Sequence, residues 1–225
     1  MTAHAIVLAA GTVPSRASLD EAWPGWDAGA GLVIAADGGA RHATALGLPL
    51  DRWVGDGDSI DPGDLAALAA AGVRVDRFAP EKDASDTELA VLAAIEAGAD
   101  ELTILGGLGG ERVDHALTNV ALLEHAALAG RPARLYDDRA ARISLIRGPA
   151  EAKLAGRVDD LVTLIPVGGP AVGVATSGLR YPLREETLEP GSSRGLSNIR
   201  DASRAGVSLQ GGRLLAIETP ATVGR

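Results

Sequence analysis

Three clusters of acidic residues stand out in the amino-terminal half of the chain, and two of them include a basic residue. The clusters lie in Gly55–Ser59 (GDGDS), Lys82–Asp86 (KDASD) and Gly110–His115 (GERVDH). Carboxylates this close together repel one another and raise each other's pKa, so a fold that gathers them needs a cation between them. Hard divalent cations prefer carboxylate oxygens. The pattern predicts a magnesium site that acts on a polyphosphate, and we expect Asp56→Asn or Asp58→Asn to stabilise the metal-free protein slightly.

The first two clusters also have simpler interpretations. Asp56 and Asp58 are two residues apart, so both carboxylates project to one side of an extended segment. A calcium loop is an alternative, but its regular ligand spacing and closing glutamate are missing. Asp83 and Asp86 share one face of a predicted helix start, where acidic residues are also favoured electrostatically. That electrostatic preference explains Asp83 equally well, and Asp86 is the better candidate for a metal ligand.

Two glycine-rich segments follow predicted strands. Asp37–Gly39 opens a helix that carries Arg41, and helix N-termini at the carboxyl ends of parallel strands present free N–H groups to phosphate. An ordinary turn explains the same three residues. Leu105–Gly110 precedes Arg112 and His115, and bare backbone there lets a phosphate or an adenine approach. The segment lacks the spacing of a P-loop or of a dinucleotide fingerprint, and His115 alternatively caps the helix or packs in the core.

Before residue 139, short apolar β segments alternate with helical stretches, which is typical of a parallel sheet covered by helices. The predicted strands are Ala5–Ala9, Leu32–Ala36, Trp53–Val54, Val73–Phe78, Leu102–Leu105 and Ala133–Tyr136. The predicted helices lie around 39–47, 62–71, 85–97 and 113–129, whereas residues 12–30 match no pattern. Asp61 followed by Pro62, and Ser85 followed by Glu88, predict the starts of the second and third helices.

After residue 139 the helical period ends, and strands alternate with glycine and proline. These strands are predicted at Arg142–Ile146, Leu161–Ile165, Val172–Thr176, Gly206–Leu209 and Leu214–Ile217. The predicted fold class is therefore α/β. A parallel-sheet α/β nucleotide-binding domain over residues 1–138 is followed by a smaller antiparallel β domain over residues 139–225.

Composition excludes several functions. The 225 residues have a formal net charge of −9, which repels nucleic acid and anionic membranes. The sequence contains no cysteine, which excludes disulfides and thiolate metal sites. No apolar run reaches the roughly 20 residues that cross a bilayer, and the first residues lack the basic region of a signal peptide. We expect no nucleic-acid or membrane partner and a cytoplasmic location.

Six motifs in order resemble the thiamine pyrophosphokinase (thiamine diphosphokinase) family, over roughly residues 32 to 217. They are Ala36–Ala40 (ADGGA), Gly55–Ser59, Lys82–Glu88, Arg112–Asn119, Gly178–Leu183 (GLRYPL) and Gly195–Asn198 (GLSN). The chain departs from the family pattern at Gly57, where an aromatic residue is common, and at Glu111 and Ile199. The β domain also contains no tryptophan that could stack on thiamine.

The resemblance implies transfer of pyrophosphate from ATP to the hydroxyl of thiamine, giving thiamine diphosphate and AMP. It implies a magnesium and catalytic set of Asp56, Asp58 and Asp86, assisted by Lys82 and Asp114. It implies an ATP-binding set of Asp37, Gly38, Arg41, Gly106, Arg112 and His115, and a thiamine-binding pair, Ser197 and Asn198. It also implies a homodimer whose sites are shared between subunits. A metal-dependent nucleotide or thiamine-phosphate phosphohydrolase and a non-catalytic ligand-binding relative are the alternatives.

Overall fold

A computed structural model describes residues 3–221 as two compact units that divide after Arg139. The remaining residues of the two predicted domains, 1–2 and 222–225, lie outside the described range. The strands of the first unit are β1 (His4–Leu8), β2 (Ala30–Ala36), β3 (Arg52–Gly55), β4 (Arg74–Arg77), β5 (Glu101–Leu105) and β6 (Ala133–Tyr136). Its helices are α1 (Arg16–Ala22), α2 (Arg41–Leu46), α3 (Pro62–Ala70), α4 (Asp86–Glu96) and α5 (Val113–Ala121).

The six strands of the first unit pair in parallel, in the order β6-β5-β1-β2-β3-β4. The central strands are apolar and buried, as expected for a parallel sheet covered on both faces, and α4 packs against β1, β2 and β3. All carboxyl ends of parallel strands lie at one edge of the sheet. The segments after β2, β3 and β5 therefore meet at the edge where α/β proteins bind ligands.

Helix starts follow the local sequence closely. The Asp61 side chain accepts a hydrogen bond from the Gly63 N–H (2.7 Å), with Pro62 at the first helical position of α3. The Ser85 hydroxyl accepts from the Glu88 N–H (3.2 Å) at the start of α4. Both predicted helix starts are confirmed, and the second one places Asp86 in the first turn of α4.

One expectation for the first unit is wrong. The helix predicted over 113–129 ends at Ala121 and is followed by 3-10 turns at Leu122–Glu124 and Ala126–Leu128. Residues 12–30 also contain a helix, α1, capped by the Ser15 side chain. Its apolar positions are too few for a helical period to be visible in seven residues.

The second unit consists of antiparallel strands. They are β7 (Arg142–Arg147), β8 (Ala150–Leu154), β9 (Leu161–Pro166), β10 (Ala171–Ser177), β11 (Glu186–Leu188), β12 (Asn198–Ile199), β13 (Ala205–Leu209) and β14 (Arg213–Thr219). They pair in the orders β12-β9-β14-β7 and β11-β10-β13-β8. Side chains of both groups, including Leu164, Val174, Val207 and Leu214, form one buried apolar cluster.

The fold class predicted from the sequence, a parallel α/β part followed by an antiparallel β part, is confirmed. Strands β8, β11 and β12 were not predicted, because they are short or polar and lack the apolar alternation of their neighbours. Within residues 3–221, every helix is too short or too polar to span a bilayer.

Candidate active site

Asp37 lies directly after β2, at the start of the 3-10 turn Asp37–Ala40. Its φ of +42° is in the left-handed region, which an aspartate adopts only when its surroundings hold it there. The buried Trp53 indole N–H donates to the Asp37 carbonyl (3.0 Å) and holds the backbone. The side chain is 3% exposed, and neither carboxylate oxygen has a hydrogen-bond partner of good geometry among the described residues.

Asp56 and Asp58 lie in the loop after β3. The Asp58 N–H donates to Oδ1 of Asp56 (3.1 Å), and the Ser59 hydroxyl donates to Oδ1 of Asp58 (2.7 Å). These local hydrogen bonds keep the two carboxylates on the same side of the loop, as their spacing predicted. One carboxylate oxygen from each of Asp37, Asp56 and Asp58 lies within 4.8 Å of the others.

The cluster of Asp37, Asp56 and Asp58 changes the acidity of its buried member. Burial, and then the neighbouring carboxyl of Asp58, raise the pKa of Asp37 to about 6. A buried carboxylate without partners that faces two further carboxylates is suited to a hard divalent cation, whose charge would compensate all three. The residues present therefore fit magnesium, which their sequence predicted.

Lys82 bridges two of the predicted ligands. Its ammonium lies 2.9 Å from Oδ2 of Asp56 and 2.8 Å from Oδ1 of Asp86. The hydrogen bond from Lys82 lowers the pKa of Asp56. The ion pair removes the reason to expect that Asp56→Asn stabilises the metal-free protein, because that change removes an attraction as well as a repulsion. Asp37 is the buried carboxylate of the cluster, and no ion pair to it is found within residues 3–221.

The loop after β5 and the start of α5 form another part of the edge. Gly106 has a φ of +70°, and a side chain there would collide with the Ala9 carbonyl, so the loop needs glycine. The exposed Arg112 contacts Asp114 through two N–H groups (3.2 and 2.5 Å), and this contact lowers the pKa of Asp114 to about 2. The buried Asn119 amide donates to the Gly107 carbonyl (2.8 Å). Asn119 fixes this loop, a role that its sequence pattern did not reveal.

A cleft of about 440 Å³ joins most of these groups. Its lining includes the predicted residues Asp37, Asp58, Asp86, Gly106, Arg112 and His115, together with Ser59 and Asn119. Gly38 and Arg41 instead line a neighbouring cavity of about 350 Å³, which shares Ser59 with the cleft. The Arg41 guanidinium donates to the carbonyls of Ala10 and Gly38. In this structure Arg41 therefore contacts the backbone of the strand-end loops.

The two predicted thiamine-binding residues differ in what their side chains contact. Ser197 has a φ of +54°, its N–H donates to Thr163 Oγ1 (3.0 Å), and its exposed hydroxyl has no partner among residues 3–221. The Asn198 amide accepts from the Tyr181 N–H (3.0 Å) and donates to the Tyr181 carbonyl (2.6 Å). Asn198 thus holds the turn at Tyr181 in place, whereas the Ser197 hydroxyl is available to a ligand.

Asp37→Asn should stabilise the metal-free protein at neutral pH. The raised pKa means that the folded protein holds a proton that the unfolded chain releases between pH 3.8 and about 6, so the free energy of unfolding falls as pH rises through that window. A shift of this size corresponds to at most ~3 kcal/mol. In excess chelator, the melting temperature of Asp37→Asn should exceed that of the wild type at pH 7.5, and the gap should close below about pH 4.

The control for this prediction is Asp83→Asn, which removes the same charge from an exposed loop residue that contacts none of the three carboxylates. Its melting temperature should follow the wild type across the pH range. Equal pH dependence in the wild type and Asp37→Asn would contradict the raised pKa.

Comparisons with known proteins identify one family model for each of two parts of the chain. Residues 26–133 match the family model "Thiamin pyrophosphokinase, catalytic domain", and residues 152–214 match "Thiamin pyrophosphokinase, vitamin B1 binding domain". Thiamine pyrophosphokinase of Bacillus subtilis (strain 168) is 28% identical over 189 residues, which cover 84% of this chain and 87% of that protein.

Solved structures of the same kind superpose on the whole fold. The crystal structure of thiamine pyrophosphokinase from Bacillus subtilis matches with a TM-score of 0.81 and 27% identity, covering 96% of this chain and 99% of the other. The enzyme from Geobacillus thermodenitrificans matches with a TM-score of 0.78 and 26% identity, covering 96% and 97%.

Proposed function

The chain belongs to the thiamin pyrophosphokinase family, and from that premise we propose that it transfers pyrophosphate from ATP to thiamine at the carboxylate cluster of its first unit. The observation that carries the proposal is the group of Asp37, Asp56 and Asp58 oxygens at the ligand edge of a parallel sheet. Family membership supplies the reaction, and the cluster would hold the magnesium that compensates the charge of the polyphosphate.

In this reaction the hydroxyl oxygen of thiamine bonds to the β-phosphorus of ATP. The bond from that phosphorus to the oxygen shared with the α-phosphate breaks, and AMP leaves. Such a transfer depends on in-line positioning and on compensation of the charge on the phosphoryl oxygens, with no protein nucleophile. Bound magnesium would supply much of that compensation. Arg112 lines the cleft and Lys82 contacts Asp56 of the carboxylate cluster, so both cations would bind phosphate oxygens.

We assign Asp37, Asp56 and Asp58 as the residues that would hold magnesium, and we retain Asp86 as a further candidate ligand. In the ligand-free protein, the Lys82 ammonium compensates Asp56 and Asp86. A phosphate that draws Lys82 away would leave both carboxylates free for a cation. The same residue would thus switch from stabilising the empty site to binding the substrate.

The proton of the thiamine hydroxyl needs an acceptor whose pKa is near the working pH. Asp114 has a pKa of about 2 because Arg112 contacts it, which makes it a weak base. Asp37 has a pKa of about 6 in the metal-free protein. Because magnesium would lower that pKa, Asp37 acts as a metal ligand in the loaded site, and we propose Asp114 as the residue that orients Arg112.

For the second unit, we propose that the Ser197 hydroxyl hydrogen-bonds thiamine and that Asn198 shapes the same surface through Tyr181. We also propose a homodimer in which each site combines the first unit of one subunit with the second unit of its partner. Exposed apolar side chains on α5, Val113 (72%) and Leu117 (66%), support an interface beside Arg112 and Asp114. The cytoplasmic location expected from the sequence stays a prediction.

The phosphohydrolase alternative would use the same carboxylates to activate water. The two functions separate in one experiment, in which AMP release from ATP and magnesium is followed with and without thiamine. A pyrophosphotransferase releases AMP only when thiamine is present. AMP release at the same rate without thiamine would contradict the proposed function and favour the hydrolase.

A further inference from the structure

Gly57 lies between Asp56 and Asp58, at a position where the chain departs from its family pattern. Its φ is +86°, and the space that a side chain would fill is taken by Arg77. A Cβ atom placed on Gly57 would lie 3.1 Å from Nη2 of Arg77, 3.6 Å from Cζ and 3.8 Å from Nε. The guanidinium therefore lies against the bare backbone of the loop that carries two cluster carboxylates.

Backbone hydrogen bonds fix the position of Arg77 beside the loop that follows β3. Arg77 is the last residue of β4 and pairs in parallel register with Gly55 of β3. The next residue, Phe78, donates its N–H to the Gly55 carbonyl (2.8 Å). The Cα of Arg77 is thus tied to the end of the strand from which the carboxylate loop departs, at the edge of the sheet where the cleft lies.

Arg77 has no ionic partner within residues 3–221, in contrast to the other arginines of β3 and β4. Arg52 and Arg74 both contact Asp76, Arg74 at 3.0 Å. The carboxylates nearest to Arg77 have other contacts, since Asp56 binds Lys82 and the Asp58 N–H, and Asp58 accepts from Ser59. Arg77 is exposed, and its guanidinium lies beside the loop that carries Asp56 and Asp58.

We propose that Arg77 binds the polyphosphate of ATP beyond its α-phosphate, in the space that Gly57 leaves open. The proposal rests on the proposed function. The phosphoryl groups that are transferred have to reach the magnesium that the carboxylate cluster would hold, and Arg77 lies beside that cluster. A planar guanidinium binds two phosphate oxygens at once, which a side chain on residue 57 would prevent.

The test is calorimetric binding of an ATP analogue with a methylene bridge between its α- and β-phosphates, in the presence of magnesium. Arg77→Gln should weaken binding of the analogue at least ~10-fold, because a charge-assisted contact is lost. Its affinity for AMP should stay within about twofold of wild type. Arg77→Lys, which keeps the charge but not the fork, should fall between the wild type and Arg77→Gln.

Arg74→Gln is the matched control, because it removes an arginine of the same strand that contacts Asp76. It should leave affinity for the analogue within about twofold. Wild-type affinity in Arg77→Gln, or equally weakened binding of AMP and the analogue, would overturn the role of Arg77 and leave the proposed function in place. If the wild type failed to bind the analogue at all, the proposed function would fall together with it.

Discussion

Asp58→Asn is expected to lower turnover at least ~100-fold while the protein stays folded. Asparagine keeps the shape of the side chain but loses the negative charge that would hold magnesium, and losses of this size are common when electrostatic stabilisation of a transition state is removed. Asp58 is a better choice than Asp56, because Asp56 also forms an ion pair with Lys82 (2.9 Å). Asp58 is exposed, and it forms no ion pair with any residue between 3 and 221.

Steady-state rates of AMP formation with ATP, magnesium and thiamine measure this effect, and thermal unfolding confirms that the variant is folded. Asp83→Asn is the control, since Asp83 is also exposed and lies outside the carboxylate cluster. Activity should likewise be lost in excess chelator and return with added magnesium. A near-normal rate in Asp58→Asn, or full activity in chelator, would contradict the assignment of a metal site to these carboxylates.

Two inactive variants should restore activity when their subunits mix. One variant carries Asp58→Asn in the first unit, and the other carries Ser197→Arg, which fills the surface around the free Ser197 hydroxyl in the second unit. If each site combines units from two subunits, a mixed dimer contains one site with both defects and one with neither. Random mixing should then recover up to about a quarter of wild-type activity.

Subunit exchange has to be verified independently, for example by native mass spectrometry of differently tagged subunits. Each variant incubated alone through the same exchange procedure gives the baseline. No recovery after verified exchange would contradict the shared site, because a site built within one subunit always contains one of the two defects.

Local sequence signals were sufficient for much of the fold. The central strands of the parallel sheet are short apolar segments with buried side chains, and the starts of α3 and α4 carry recognisable caps at Asp61 and Ser85. The edge strand β12 has only two residues, Asn198 and Ile199, so it carries too little pattern to be predicted. Its pairing with β9 depends on tertiary contacts.

The sequence predicted which types of residue form the site better than it predicted which of them lie together. Spacing indicated Asp56 and Asp58, but Asp37 joins them through the parallel order of β2 and β3, which brings two strand ends together across 19 residues of chain. Asp86 lies outside this cluster and forms an ion pair with Lys82. Arg77 gave no signal, since an arginine at a strand end is usually a solvated side chain.

The most direct measurement of the central claim is the product balance of the reaction. Purified protein is incubated with thiamine, magnesium and ATP labelled at its β-phosphate, and products are separated by mass. Pyrophosphate transfer to thiamine predicts thiamine diphosphate and AMP in equal amounts, with the label entirely in thiamine diphosphate and no product when thiamine is left out. Thiamine monophosphate with ADP, or AMP with free pyrophosphate and unmodified thiamine, would contradict it.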